Sequence, residues 1–433
     1  MSSLKSVSSN VTWLSADRVV RLGLNALSWI IVMRVVGPEA FGRFSYVYAA
    51  YLMFVPVVAF GLDNVVVRWL IRAPDAAPSI LGSGLALRLI SAAGSWLALT
   101  VWVQSTQVAA DGLSIAAVLG LGLIGPAFDV IDLEFQSRLA SRWTVMAKAL
   151  PFLLSVVLRI LAVSAQAGFV ALAAAVAIEP LLGALGLWVL AHRNGLPPQR
   201  YRVTRSMFGQ LARESLPFLM GALAVVVYMR IDQLMLLPLC GPVELGLYAA
   251  AARLSELLYF APMVLVTSLA PVLHRVREQD PALFQQRVGE LLGGLATVGL
   301  MIAVALSVLA PLLVPLLLGA GYERSIPILA IHAWSLVFVF VGVGQSVWDT
   351  AEGQGRWVVV RTTLGAVANV GLNMWLLPRL GGVGAAIATL ASYALSAWIA
   401  NLLGEKTRPM FWLQLRSPLL FWMAVRRRYV GVL

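Results

Sequence analysis

The chain has 433 residues, of which 60% are hydrophobic and only 12% charged, and its mean hydropathy is +0.86. A soluble domain carries about 25% charged residues, and several apolar runs here reach the length of about 20 residues that spans a bilayer, so a soluble globular fold is excluded. The net charge of +12 would suggest nucleic acid in a soluble protein; here the basic residues lie between apolar runs, so membrane topology accounts for them and no nucleic-acid partner is expected.

The first ten residues carry only Lys5 and lead into a full-length apolar run, which reads as a retained first helix rather than a cleaved signal. Twelve spans follow in order, near 11–36, 41–70, 80–104, 113–137, 145–165, 168–191, 213–239, 245–273, 289–318, 326–350, 357–378 and 380–403. The fold class is therefore an all-α polytopic membrane protein. One set of connections holds about 22 basic residues and the other about 4, which by the positive-inside rule places both termini in the cytoplasm.

A short pattern occurs twice. Gly37-Pro38-Glu39-Ala40-Phe41-Gly42 and Gly241-Pro242-Val243-Glu244-Leu245-Gly246 each sit between apolar runs. Proline lacks an N–H and restricts the residue before it, so each copy reads as a tight turn between helices. Arg142-Trp143 and Gly168 match Arg356-Trp357 and Gly382 at a slightly larger offset, which implies about ten inserted residues around 274–288 of the second half. The organisation expected is a six-helix lobe over 1–191, a cytoplasmic linker over 192–212, and a second six-helix lobe over 213–403. The basic tail 404–433, rich in tryptophan and arginine, is expected to form an interfacial helix. Both halves start on one side of the membrane, so the repeats are parallel.

Charge inside a span is costly and needs a partner or a water-filled cavity. Helix 1 carries Asn10, Asp17, Arg18, Arg21, Asn25 and Ser28 along one side. Arg88 and Arg230 have no acid at helical-neighbour spacing, whereas Asp17 with Arg21 and Arg253 with Glu256 are spaced to interact. Two readings stay open for Arg18 and Arg230: pairing with acids on neighbouring helices, or lining a cationic cavity. Arg18, Arg21, Asn25, Arg88, Arg230 and Arg253 form the candidate binding set, and Asp17, Asp63, Asp232 and Glu256 the candidate coupling or ion-pair set. The single cysteine, Cys240, and the three separated histidines supply no metal cluster. No phosphate loop, zinc motif or nucleophile motif is present, so neither an enzyme nor a cofactor is expected.

Asn10 through Arg18 with Asn25, Val36-Gly37-Pro38-Glu39-Ala40-Phe41-Gly42, Gly61-Leu62-Asp63 followed by Arg68, and Arg230-Ile231-Asp232 leading into Gly241-Pro242 together resemble a family. The chain is similar, over its whole length, to Wzx-type oligosaccharide flippases of the multidrug/oligosaccharidyl-lipid/polysaccharide exporter superfamily. The resemblance implies two pseudo-symmetric six-helix lobes in a MATE-like V-shaped architecture. It implies alternating access that moves a polyprenyl-pyrophosphate-linked oligosaccharide across a bacterial cytoplasmic membrane for polysaccharide or O-antigen assembly. Membrane lipids, a polysaccharide polymerase and a chain-length regulator are the partners it suggests. A cation-coupled drug or metabolite antiporter of the same superfamily, and a lipid II flippase, are the alternatives.

Overall fold

Apolar runs without a polar face can satisfy their backbone in lipid only as helices, and the structure is helical along its length. It is a computed structural model and describes residues 20–106, 111–138, 140 and 142–430. Helix α1 covers 20–36. It is followed by α2 (Pro38–Ala59), α3 (Leu62–Arg72), α4 (Ala77–Thr106), α5 (Gly112–Gly122), α6 (Ile124–Ala127), α7 (Asp129–Ser137), α8 (Arg142–Ser164) and α9 (Gly168–Arg193). Then come α10 (Arg205–Glu256), α11 (Phe260–Gln279), α12 (Pro281–Leu318), α13 (Ser325–His332), α14 (Ser335–Ala351), α15 (Gly355–Ala397) and α16 (Arg408–Val430).

Among the described residues, nine helical stretches are long and apolar enough to cross a membrane. Two of them are interrupted by a glycine outside the helical region: Gly241 at φ 85° in α10 and Gly381 at φ 54° in α15. Each break separates two crossings. With α1 added, the helices are consistent with twelve spans. Large apolar side chains such as Leu150, Val308, Leu312 and Met374 stay exposed on them; such a surface suits contact with lipid.

The turns fall where the repeated motif put them. Gly37 and Gly241 both take positive φ, near 80° and 85°, a conformation that glycine adopts without a Cβ clash. The roughly ten inserted residues of the second half are helix rather than loop. Helix α11 runs on to Gln279 and α12 already begins at Pro281. Asp280 caps the new helix, accepting from the N–H groups of Ala282 and Leu283 at 2.9 and 3.0 Å.

Contacts divide the chain into two compact units. Of the described residues, the N-terminal unit holds those of Leu27–Val36 and Arg43–Arg230; the C-terminal unit holds 20–26, Gly37–Gly42 and 231–430.

The core of the N-terminal unit at the linker end gathers Leu62, Val66, Ile80, Val130, Phe135 and Leu211. The 192–212 stretch lies wholly in this unit and is anchored rather than loose. The Arg202 N–H donates to the Pro78 carbonyl at 2.8 Å, and the Thr204 N–H to Ser83 Oγ at 3.2 Å. Tyr201 donates to Glu134 Oε2 at 3.1 Å. Burial, and then the neighbouring Glu134 carboxylate, push the Tyr201 phenol well above its usual range, so it remains a donor at any physiological pH.

In the C-terminal unit the first turn of α2 crosses α10 just after its break. A Cβ on Gly42 would lie 2.9 Å from the Gly246 nitrogen and strike the Pro242 carbonyl; one on Gly246 would lie 2.7 Å from the Pro38 carbonyl carbon. Only hydrogen fits at either position, as in other close helix crossings in membranes. The tail, expected as a helix, is α16, and it packs along α12, where Gly293 lies against the Ser417 backbone and the Phe421 side chain. Gln414 of α16 enters a buried network. It donates to Gln345 Oε1 at 2.8 Å and accepts from Asn401 at 3.1 Å. Arg361 completes the network, donating to Asn401 and to Asp349, both at 2.6 Å.

Gly→Ala usually stabilises a helix interior, by about 1 kcal/mol. Gly94 of α4 has open space around it, so Gly94→Ala should leave the melting temperature of the purified protein unchanged or raise it. Gly246→Ala should lower it sharply and reduce membrane abundance. Equal behaviour of the two variants would mean that the crossing can open to admit a methyl group.

Candidate functional site

Asn10, Asp17 and Arg18, the first part of the polar face of helix 1, lie outside the described residues. Arg21 and Asn25, farther along α1, are half-buried, and both make polar contacts.

Arg88 lacks an acid on its own helix, and the fold supplies one from α3. Its Nη2 meets Asp63 Oδ1 at 2.5 Å, with the arginine side chain 1% exposed and the aspartate 61%. Nη1 donates to the Pro126 carbonyl at 3.2 Å, while Nε is buried without a hydrogen-bond partner among the described residues. The break at Phe60 and Gly61, both at positive φ, starts α3 just before Asp63. The carboxylate therefore sits in the first turn, where the helix dipole favours it. Asp129 and Asp132 also find partners across helices, Lys148 at 2.7 Å and the Thr144 hydroxyl. Spacing along one helix could not reveal these pairs.

Arg159 of α8 was not among the candidate site residues, yet it is one of the most buried charges in the N-terminal unit. It is 2% exposed and lies over the Trp29 ring at 5.4 Å. A cation over the face of tryptophan is attracted by the ring quadrupole. The sequence signal was present, an arginine amid Leu158 and Ile160, but its aromatic partner comes from a distant helix.

Arg230 and Asp232 are two residues apart and do not share a helix face. Asp232 is buried and fully engaged in the C-terminal unit. Its Oδ1 accepts from the Gln233 N–H at 2.7 Å; its Oδ2 accepts from Tyr248 and from Thr389, the latter at 3.3 Å. Tyr248 stands edge-on to His332 at 5.9 Å, and His332 Nδ1 is 2.8 Å from Ser255 Oγ. A polar chain thus runs through an otherwise apolar interior and joins α10, α13 and α15. Tyr248 lies two residues past the second Gly-Pro motif, but Thr389 and His332 carried no sequence signal.

Arg253 lies over the Phe41 ring at 5.6 Å, so a residue of the first motif meets a helix of the second. Arg253 and Glu256 both make further contacts, and Arg230 is engaged as well. Glu244 of the second motif accepts from Arg324, and from the Gly382 N–H at 2.8 Å. It therefore ties the Gly241 turn to the break at Gly381. Among the described residues no group of three or more His, Cys, Asp or Glu could hold a metal ion.

A family described as polysaccharide biosynthesis protein matches residues 7–277, well over half of the chain. The chain belongs to this family. No curated protein matches it in sequence. Among solved structures it is similar to the lipid II flippase MurJ in an inward closed conformation, with a TM-score of 0.75 at 13% identity over 97% of this chain and 93% of that one. It is also similar to an inward-facing multidrug resistance MATE family transporter of the MOP superfamily, with a TM-score of 0.71 at 17% identity over 92% and 95% of the two chains. A third is a MOP superfamily transporter from Pyrococcus furiosus, described as having a binding pocket of reversed polarity, with a TM-score of 0.64 at 17% identity over 95% and 96%. The chain is a multi-pass membrane protein with the MOP superfamily fold. Family and fold together support the resemblance to Wzx-type flippases, and the proteins of this fold named here are transporters and flippases, not enzymes.

The Arg88–Asp63 pair generates a prediction. Removing one partner strands a buried charge, which costs more than removing both. Asp63→Ala should destabilise the protein by about 1–3 kcal/mol, a range lowered for the exposure of the carboxylate. Adding Arg88→Leu should recover much of the loss. Strictly additive effects in a double-mutant cycle of unfolding midpoints would mean that the two side chains do not depend on each other.

Proposed function

We propose that the protein is a flippase that moves a polyprenyl-pyrophosphate-linked oligosaccharide from the inner to the outer leaflet of a bacterial cytoplasmic membrane, by alternating access of two six-helix lobes, 1–191 and 213–403. The observation that carries this reading is the family match over residues 7–277. The cations within the spans add to it. A drug or metabolite cation would be repelled by Arg18, Arg21, Arg230 and Arg253, whereas a pyrophosphate would be attracted. Arg88, buried against Asp63, suits a structural role better than substrate contact. Asp232, tied to Tyr248 and Thr389, could couple transport only by breaking those bonds. O-antigen or a related surface polysaccharide is the end product, and a polymerase and chain-length regulator act on the unit after it has crossed.

Arg18 is the principal phosphate ligand in this proposal. A guanidinium offers two parallel N–H donors to phosphate oxygens, where an ammonium offers a point charge. Arg18→Ala should abolish surface polysaccharide in a flippase-deficient strain at normal membrane abundance, and Arg18→Lys should reduce it. Wild-type polysaccharide from the alanine variant would remove Arg18 from the mechanism. Rescue of a strain depleted of its lipid II flippase, without rescue of polysaccharide export, would favour the lipid II reading, which the fold likeness to MurJ makes the second choice.

The orientation follows from the basic connections and places both termini and the 192–212 linker in the cytoplasm. The Arg202 side chain is exposed. A cysteine introduced there, in a Cys240→Ser background, should react with a membrane-impermeant maleimide only after the cells are opened. Labelling of intact cells would invert the orientation.

A further inference from the structure

In the C-terminal unit, the tail helix α16 closes one side of a cleft of about 700 Å³ whose other walls are the facing ends of α11, α12 and α14. Arg277, Lys406 and Arg416 line it, against a single acid, Glu352, and its apolar wall includes Trp348 and Trp412. Arg277 is engaged: its Nε and Nη2 donate to Glu352 at 2.7 and 3.4 Å. Lys406 and Arg416 have no hydrogen-bond or ion-pair partner among the described residues. The acid in the cleft is thus already matched, and two unmatched cations face the same space.

The cleft is rigidly built. Gln414, two residues from both Trp412 and Arg416, is locked into the buried network with Gln345 and Asn401. One turn on, Ser417 rests against Gly293. The backbone at Arg416 is therefore held in place, and next to Lys406 the Thr407 hydroxyl donates to the Asn401 carbonyl at 2.8 Å, as a preformed site requires.

The surroundings say what kind of anion fits. Trp412 is 51% exposed and begins a stripe with Leu415, Leu419, Trp422 and Met423, all exposed large apolar side chains. Their spacing puts them on one face of α16. An apolar face with tryptophans, flanked by arginines, is the composition of a helix seated at a membrane interface. The cleft opens at the edge of that stripe, so its occupant needs a phosphate at one end and hydrocarbon at the other. The proposed orientation puts this end of the helices at the cytoplasmic leaflet, where anionic lipid is concentrated.

We propose that this cleft is a binding site for one anionic phospholipid, with the phosphate held between Lys406 and Arg416 and the start of the acyl chains laid along Trp412. The lipid joins the tail helix to α11 and α14 through contacts that the protein alone does not make.

Native mass spectrometry of the full-length protein, titrated with phosphatidylglycerol, tests the assignment. The wild type should retain one phosphatidylglycerol, with phosphatidylcholine bound at least about tenfold more weakly, since each cation near an anionic lipid surface contributes about 1 kcal/mol. The Lys406→Gln/Arg416→Gln variant should lose the preference for phosphatidylglycerol. The Lys406→Arg/Arg416→Lys swap should keep it, as should Arg356→Gln, which removes an exposed cation outside the cleft. Unchanged selectivity in the double glutamine variant, or its loss in Arg356→Gln as well, would overturn the site. Glycerol phosphate competing as well as phosphatidylglycerol would overturn the lipid in favour of a soluble phosphate.

Discussion

The close crossing of the two Gly-Pro segments is the constraint on which the C-terminal unit depends. Gly42 and Gly246 each face the backbone of the other segment, with room for hydrogen alone. In lipid there is no hydrophobic drive to bring helices together, so close van der Waals packing at small residues carries more of the association. The prolines stop each preceding helix, the positive-φ glycines turn the chain, and the second glycine of each motif permits the contact. Glu244 and Arg253 extend the same region. One caps the break at Gly381 and the other reaches the Phe41 ring. A motif of six residues, used twice, thus sets several helix ends at once.

The second organising influence is the cost of charge in an apolar medium. The fold answers it with partners drawn from neighbouring helices. Asp63 reaches Arg88, Lys148 reaches Asp129, and Asp349 reaches Arg361, at 2.5, 2.7 and 2.6 Å. Each pair joins two helices that follow one another in the chain, at separations that spacing along a single helix does not report. Arg361 also shows how such a pair grows into a network, since Asn401, Gln345 and Gln414 satisfy the remaining polar atoms around it and the tail helix is fastened as a result. A polar cluster in a core is stable when every member is satisfied, and this one nearly is.

Much was legible in the sequence because it depends on composition and local chemistry. The apolar runs determined that the chain crosses the membrane as helices, and lipid leaves no other way to satisfy their backbone. The Gly-Pro motif determined two turns and the internal repeat, because proline and left-handed glycine act locally. The family resemblance rested on the same motifs and was borne out by the match over residues 7–277.

What only the tertiary structure decided is partnership. Arg88 read as an arginine without an acid on its own helix, and Arg159 stood out by nothing but its charge between Leu158 and Ile160. Neither Asp63 nor Trp29 lies near its partner in the chain, and helical spacing reports only neighbours three or four residues away. The roughly ten inserted residues of the second half could be counted from the offsets, but their helical form came from the cap at Asp280 and the packing of α12 on α16. The tail read as a basic helix from its composition. Its seat against Gly293, and the two unmatched cations that this seat turns into one cleft, exist only once α11, α12 and α14 end side by side, because a cleft belongs to several elements and to no single stretch of sequence.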